Sequence, residues 1–161
     1  GVMRLAESLA AHYGIDSEKA ALAGILHDCA KEFDSEKMRR YFDMGNVTDR
    51  LITTSPKLWH GIAGAYYAKE KYGIDTLVPT EEEKREIQRV IEEELTFDII
   101  KASSREYYVN VIKELARQGA QGVILGCTEI QMLIKQEDSP IPVFDTTTLH
   151  AMAAVDFALD D

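Results

Sequence analysis

The residue with the clearest chemical potential in this sequence is Cys127. It follows an apolar run, residues 122–126, and opens a stretch with helical spacing. Such a run predicts a buried parallel strand, and ligands of open α/β sheets bind beyond the carboxyl ends of the strands. Backbone N–H groups at a helix start lower the pKa of a thiol and bind carboxylates. Cys127 is therefore a candidate nucleophile or proton carrier, although a buried packing cysteine fits the same pattern.

A second group of polar side chains repeats this arrangement. Residues 142–145 predict a short strand, and the hydroxyls of Thr146, Thr147 and Thr148 follow at the start of a helix. His150 comes shortly after them and, taken alone, could simply cap or pack.

A third group carries metal-binding side-chain types. His27 and Asp28 are adjacent in a predicted helix, Lys31 follows one turn later, and His60 lies in a later helix. An imidazole with a carboxylate suits iron, manganese or zinc. A capped or solvated His-Asp pair would give the same dipeptide, so the pair alone leaves both interpretations open.

The elements that must position these residues differ between the two halves of the chain. Residues 1–74 predict only helices, among them one over residues 17–32 that begins after Asp16. From residue 75 onward the pattern predicts strands at 76–79, 122–126 and 142–145. Capping-box patterns at 80–83 and 103–106 start two helices between the first two strands, and further helices cover 128–135 and 146–159. This order indicates an α/β fold with parallel crossovers.

Composition and charge limit the function classes. The 161 residues carry a net charge of −10, which argues against nucleic acid or an anionic membrane surface as a partner. No apolar run has the length of a membrane span, which is about 18 to 20 residues. With only two cysteines, no disulfide framework is expected, and a reducing cytoplasm is the default location. All of the net charge falls in residues 75–161, which predicts a module boundary near residue 74.

The first module resembles a known family of metal enzymes. Residues 22–32, which contain His27, Asp28 and Lys31, and residues 58–65, which contain His60, are similar to HD-domain phosphohydrolases of the YqeK-like type, the symmetrical diadenosine-tetraphosphate hydrolases. The resemblance covers residues 1–74 and implies an all-α bundle with a divalent metal. It further implies that His27, Asp28 and His60 are metal ligands, that Lys31 is a cation facing phosphate, and that the substrate is a nucleotide polyphosphate.

The second module resembles another family. The motifs in residues 75–161 are similar to the C-terminal part of aspartate/glutamate racemases, which exchange the Cα proton of small acidic amino acids without a cofactor. The resemblance implies that Cys127 is one of two acid/base groups. It also implies a substrate pocket lined by Thr128, Glu129, Thr146, Thr147 and His150. The motifs that carry it are residues 77–79, 93–95, 104–108, 118–130 and 142–151.

The two resemblances together describe a hybrid, an HD-like helical module at 1–74 joined to a racemase-like α/β module at 75–161. The racemase family places its other catalytic group in an N-terminal α/β domain, which this sequence does not contain. We therefore expect a racemase-like protein with an incomplete site. A metal-dependent phosphohydrolase and a non-catalytic hybrid are the alternatives. Because modules of this size are marginally stable alone, we expect them to pack on one another or to form a homodimer.

Overall fold

The structure is a computed structural model that describes residues 2–26, 28–48, 50–56 and 59–159. In this part of the chain, no helix is long and apolar enough to cross a membrane. Described residues before Thr76 form helices without strands: α1 (Val2–Tyr13), α2 (Ser17–Leu26), a 3-10 helix (Cys29–Glu32), α3 (Ser35–Asp43), α4 (Arg50–Thr53) and α5 (Trp59–Tyr72).

The break after α2 corrects one prediction. A continuous helix was expected over residues 17–32, but α2 ends at Leu26 and Cys29–Glu32 forms a separate 3-10 turn. The backbone N–H of Lys31 bonds to the carbonyl of Asp28 at 2.9 Å, three residues back, which is the 3-10 pattern. This turn packs against α2 and α5.

An aromatic cluster holds the middle of the helical part together. Ala30, Tyr41 and Ala63 are buried, and the rings of Phe33 and Tyr67 pack around them. The rings of Phe33 and Tyr67 meet edge to face with centroids 5.0 Å apart, a favourable arrangement for two aromatic quadrupoles. The cluster joins α3, α5 and the 3-10 turn into one unit.

The second half of the chain alternates helices and strands. Its elements are α6 (Glu81–Glu93), a 3-10 helix (Leu95–Phe97), α7 (Ala102–Arg117), β1 (Val123–Leu125), α8 (Ile130–Leu133), a 3-10 helix (Gln136–Asp138), β2 (Val143–Asp145) and α9 (Thr146–Leu159). The predicted capping box of α6 is present: the Thr80 hydroxyl accepts from the Glu83 N–H at 3.3 Å, and the Glu83 carboxylate accepts from the Thr80 N–H at 2.8 Å. The second predicted capping box, from Ser103 to Glu106, is wrong, because α7 begins at Ala102 and its N-cap residue, Lys101, makes no side-chain capping bond. The neighbouring Ser104 donates to the buried carboxylate of Glu94 at 2.6 Å.

The sheet has two parallel strands where three were predicted. β1 and β2 pair in register, with Leu125 opposite Asp145. The third strand predicted at 76–79 is wrong: these residues form no strand, and Leu77 and Val78 are 40% and 56% exposed. A chain that is mostly helical around one small parallel sheet is an α/β arrangement. That the helical part is of the HD type stays a prediction.

Two apolar clusters surround the sheet. The main core lies between α6, α7 and one face of the sheet, and its buried members are Val90, Leu95, Tyr108, Ile112, Leu125, Leu133, Ile134 and Val143. On the other side, Phe144 of β2 packs with Ala6, Ala10 and Ala20, while Leu149 of α9 lies at the edge of the same cluster. The first two helices therefore share an apolar cluster with the strand that leads into Thr146, and α1 also packs on α9.

Candidate functional site

The parallel pairing brings two polar segments to the same edge of the sheet. Leu125 ends β1 opposite Asp145, which ends β2, so Cys127 and Thr146 both follow strand ends on one side. The hydroxyl of Thr146 donates to the carbonyl of Leu125 at 2.9 Å and ties the two ends together. The residues that the sequence singled out from two separate motifs thus form one locality.

Cys127 is half-buried and has a specific partner in this locality. Its thiol donates to the Glu129 carboxylate, with 2.9 Å between Sγ and Oε2. The hydroxyl of Thr128 donates to the same oxygen at 2.8 Å. Glu129 therefore lies close to the thiol and accepts from two neighbouring donors, a contact that the sequence motif did not reveal.

The protonation of this pair follows from its surroundings. Burial raises the pKa of the Cys127 thiol, and the hydrogen bond to the Glu129 carboxylate raises it further, since both disfavour a thiolate. Backbone N–H groups of Glu129 and Ile130 oppose the shift but do not overcome it. The donors Cys127 and Thr128 lower the pKa of Glu129. The expectation that the helix start lowers the thiol pKa is therefore wrong, and the proton stays on sulfur.

The start of α9 is occupied by its own cap. Asp145 Oδ1 accepts from the backbone N–H groups of Thr147 at 3.0 Å and Thr148 at 3.2 Å, and Oδ2 accepts from the Thr148 hydroxyl at 2.6 Å. These N–H groups are the ones that a helix start would otherwise offer to an anion. His150 is exposed on α9, one turn beyond Thr146.

Two residues of this locality were missed as site residues. Gln131, in α8, donates from its side-chain amide to the carbonyl of Thr128 at 3.1 Å, and its amide oxygen lies 3.2 Å from the Thr148 hydroxyl. Tyr108 is buried behind the site, where its hydroxyl donates to the carbonyl of Ile87 at 2.9 Å. Burial and the neighbouring Cys127 raise the pKa of Tyr108. These contacts either join segments that are distant in sequence or depend on the direction of a side chain. No local sequence motif therefore predicts them.

The HD-like residues lie in the helical part of the chain. Asp28 accepts a hydrogen bond from the ammonium of Lys31 at 2.7 Å, Lys31 is exposed, and His60 is a half-buried residue of α5. His27 lies outside the described residues. Among the residues that the structure does describe, no three histidine, cysteine or carboxylate side chains lie close enough to hold a metal ion. Because His27 is not among these residues, the metal site at His27, Asp28 and His60 stays a prediction.

The second cysteine belongs to that helical part as well. Cys29 is half-buried in the 3-10 turn that packs on α2 and α5. Burial raises the pKa of its thiol, with Lys37 acting against the shift and Asp28 adding to it. The two thiols of the chain therefore occupy different parts of the fold.

Two curated relatives match part of the chain. They are the symmetrical bis(5'-nucleosyl)-tetraphosphatases of Bacillus subtilis (strain 168), 38% identical over 74 residues, and of Halalkalibacterium halodurans, 40% identical over 75 residues. These alignments cover 46% and 47% of this chain, and the chain spans 40% of the length of each relative. The similarity to that hydrolase family is real but partial, and it does not make a hydrolase the favoured function.

The racemase similarity is broader. The sequence profile of the Asp/Glu/Hydantoin racemase family matches residues 46–154. A crystal structure of a Yersinia pestis protein assigned as an Asp/Glu racemase aligns with 98% of this chain and 72% of its own, at 30% identity and a TM-score of 0.55. The matched range begins inside the segment assigned above to the HD-like module, so the boundary near residue 74 stays a prediction. Sequence and structure together show that the chain belongs to the Asp/Glu/Hydantoin racemase family.

Proposed function

We propose that the residues around Cys127 form one half of a cofactor-independent racemisation site for small acidic amino acids. The observation that carries the proposal is the half-buried thiol at the carboxyl end of a parallel strand, hydrogen-bonded to the Glu129 carboxylate. Racemisation of an amino acid needs a group that gives or takes the Cα proton, and a thiol with a fixed proton partner is such a group.

The protonation states of Cys127 and Glu129 determine how proton transfer begins. Because the pKa of Cys127 is raised and that of Glu129 is lowered, the resting site holds a protonated thiol beside a carboxylate. In this state Cys127 cannot take a proton, so turnover begins when the thiol proton passes to the Glu129 carboxylate. The thiolate then removes the Cα proton, so that an S–H bond forms as the Cα–H bond breaks and a Cα carbanion remains. After exchange with solvent, the sulfur-bound proton returns to Cα and leaves a thiolate again. Transfer of a proton back to sulfur restores the resting state. Glu129 orients the thiol and holds its proton on sulfur between turnovers.

Substrate binding is the second element of the proposal. The hydroxyls of Thr128 and Thr147 and the ring of His150 border the strand ends and are the groups that we expect to contact a substrate carboxylate. Thr146 instead holds the two strand ends together through the Leu125 carbonyl. No group in the described part of the chain stands in for a second thiol, because Cys29 lies with α2 and α5. We therefore expect exchange of the Cα hydrogen with solvent to exceed inversion.

The test is Cα hydrogen exchange. L-aspartate, D-aspartate and both enantiomers of glutamate are incubated with the protein in heavy water, deuterium at Cα is followed by proton NMR, and inversion is followed by chiral chromatography. We expect exchange with at least one of these substrates and its loss in Cys127→Ser. Cys29→Ser is the matched control and retains exchange. Absence of exchange with all four substrates, or equal loss in both variants, contradicts the proposal.

A further inference from the structure

The side chain of Gln131 bridges the two segments of the Cys127 site. Its Nε2 donates to the carbonyl of Thr128 at 3.1 Å, and its Oε1 lies 3.2 Å from the hydroxyl of Thr148. The single proton of the Thr148 hydroxyl is shared between this contact and Asp145 Oδ2, which lies at 2.6 Å. One amide thus connects the turn after β1 with the capped start of α9 through two solvent-exposed contacts.

Within the turn that carries the thiol, Cys127 and Thr128 both donate to Glu129, but these bonds do not tie the turn to the rest of the fold. The helix that follows the turn, α8, is four residues long, and its N-cap residue Glu129 makes no side-chain capping bond. Backbone bonds hold it from Ile130 N–H to the Cys127 carbonyl at 3.3 Å and from Met132 N–H to the Glu129 carbonyl at 3.0 Å. The first of these is long for a hydrogen bond. A side-chain bond to the Thr128 carbonyl therefore adds a substantial share of the restraint on this turn.

We propose that Gln131 is a positioning residue of the Cys127 site. Its side chain fixes the position of the Cys127–Glu129 turn relative to the start of α9. The importance of Gln131 for catalysis rests on the proposed function, whereas its effect on the thiol does not. Gln131 touches neither the thiol nor a substrate. It acts by orienting the Thr128–Glu129 peptide, and through this peptide the carboxylate that accepts from Cys127 Sγ at 2.9 Å.

The experiment is a double-mutant cycle on the reactivity of the thiol. Gln131→Met keeps the length of the side chain and removes both polar contacts, and Thr148→Val removes the hydroxyl at the other end of the bridge. The alkylation rate of Cys127 by iodoacetamide is measured against pH by peptide mass spectrometry, with Cys29 in the same samples as internal reference. The dissociation constant for L-aspartate is measured in parallel.

We expect both single variants to move the pH profile of Cys127 alkylation to lower pH, because a loosened turn weakens the contact with the Glu129 carboxylate. A net hydrogen bond corresponds to about a 2- to 10-fold effect, which is the change expected in the aspartate dissociation constant. Because Thr148→Val also removes the hydrogen bond to Asp145, the cycle is read from Gln131: the effect of Gln131→Met should be smaller in the Thr148→Val background than in wild type. Gln88→Met, which removes an exposed glutamine amide on α6, is the matched control and changes neither readout.

Three results would overturn the proposal: a wild-type alkylation profile in Gln131→Met, a lowered melting temperature without a profile shift, or additive effects in the cycle. Gln131→Ala, which removes both polar contacts without adding a charge, is a second variant that gives the same shift should Gln131→Met fold poorly. If wild-type protein binds neither aspartate nor glutamate, the proposed function fails. The alkylation cycle still decides the role of Gln131, so the two failures are distinguishable.

Discussion

Replacement of Phe144 by alanine tests how the first helices are attached to the sheet. Phe144 is the central residue of β2 and is 8% exposed. Its ring packs with the small side chains of Ala6, Ala10 and Ala20. On the side of β1 the ring lies against the backbone, since a Cβ added to Gly122 would sit 2.7 Å from Phe144 Cε2. The ring therefore fills the space between two helices and the neighbouring strand.

The expected loss of unfolding free energy depends on the residues that would line the cavity left by the Phe144 ring. Phe→Ala in a core lowers the free energy of unfolding by about 3–5 kcal/mol, depending on how far the neighbours close the cavity. The three alanine side chains are too short to extend into this cavity. On their side the cavity can close only if α1 and α2 move as rigid units. We therefore expect about 4 kcal/mol, a large part of the roughly 5–15 kcal/mol that stabilise a typical domain.

The assay is urea unfolding followed by circular dichroism, with linear extrapolation to water. The matched control is Phe97→Ala, because Phe97 is 69% exposed and its loss should cost less than about 0.5 kcal/mol. Limited proteolysis of Phe144→Ala should also cut α1 and α2 faster than wild type. Equal unfolding free energies for the two variants would refute the packing of α1 and α2 on β2.

Three further predictions concern local contacts. Glu129→Gln removes the anion that accepts from Cys127, so the thiolate should form at lower pH and the alkylation profile of Cys127 should move downward; an unchanged profile would show that burial alone raises the thiol pKa. Thr80→Ala breaks the capping box of α6 and should cost about 1 kcal/mol by urea unfolding, whereas Thr76→Ala, at an exposed threonine outside the helices, serves as its comparison. Gly122→Ala should cost about 1–3 kcal/mol, since its methyl group meets the Phe144 ring; a neutral result by thermal unfolding would mean that the ring moves aside.

Features set by near neighbours in the chain were predictable from sequence. The capping box at Thr80 and Glu83 needs only residues three apart, and it forms as predicted. The strands at Val123–Leu125 and Val143–Asp145 and the helix from Thr146 also follow from local apolar patterns. The position of Cys127 just beyond a parallel strand end follows in turn, because a short connection after a strand leaves little freedom.

Features that depend on distant partners were decided only by the tertiary structure. Residues 76–79 have strand-forming side chains, but a strand needs a neighbour to accept its backbone hydrogen bonds, and none lies beside them in the described part of the chain. Ser103 and Glu106 have the spacing of a capping box, yet α7 begins at Ala102. The neighbouring Ser104 donates to the buried Glu94 carboxylate, a partner distant in sequence. The thiol pKa was misjudged for a related reason. The helix start is visible in sequence, whereas the direction in which the Glu129 side chain turns back to Cys127 is set by packing and by the contacts around it.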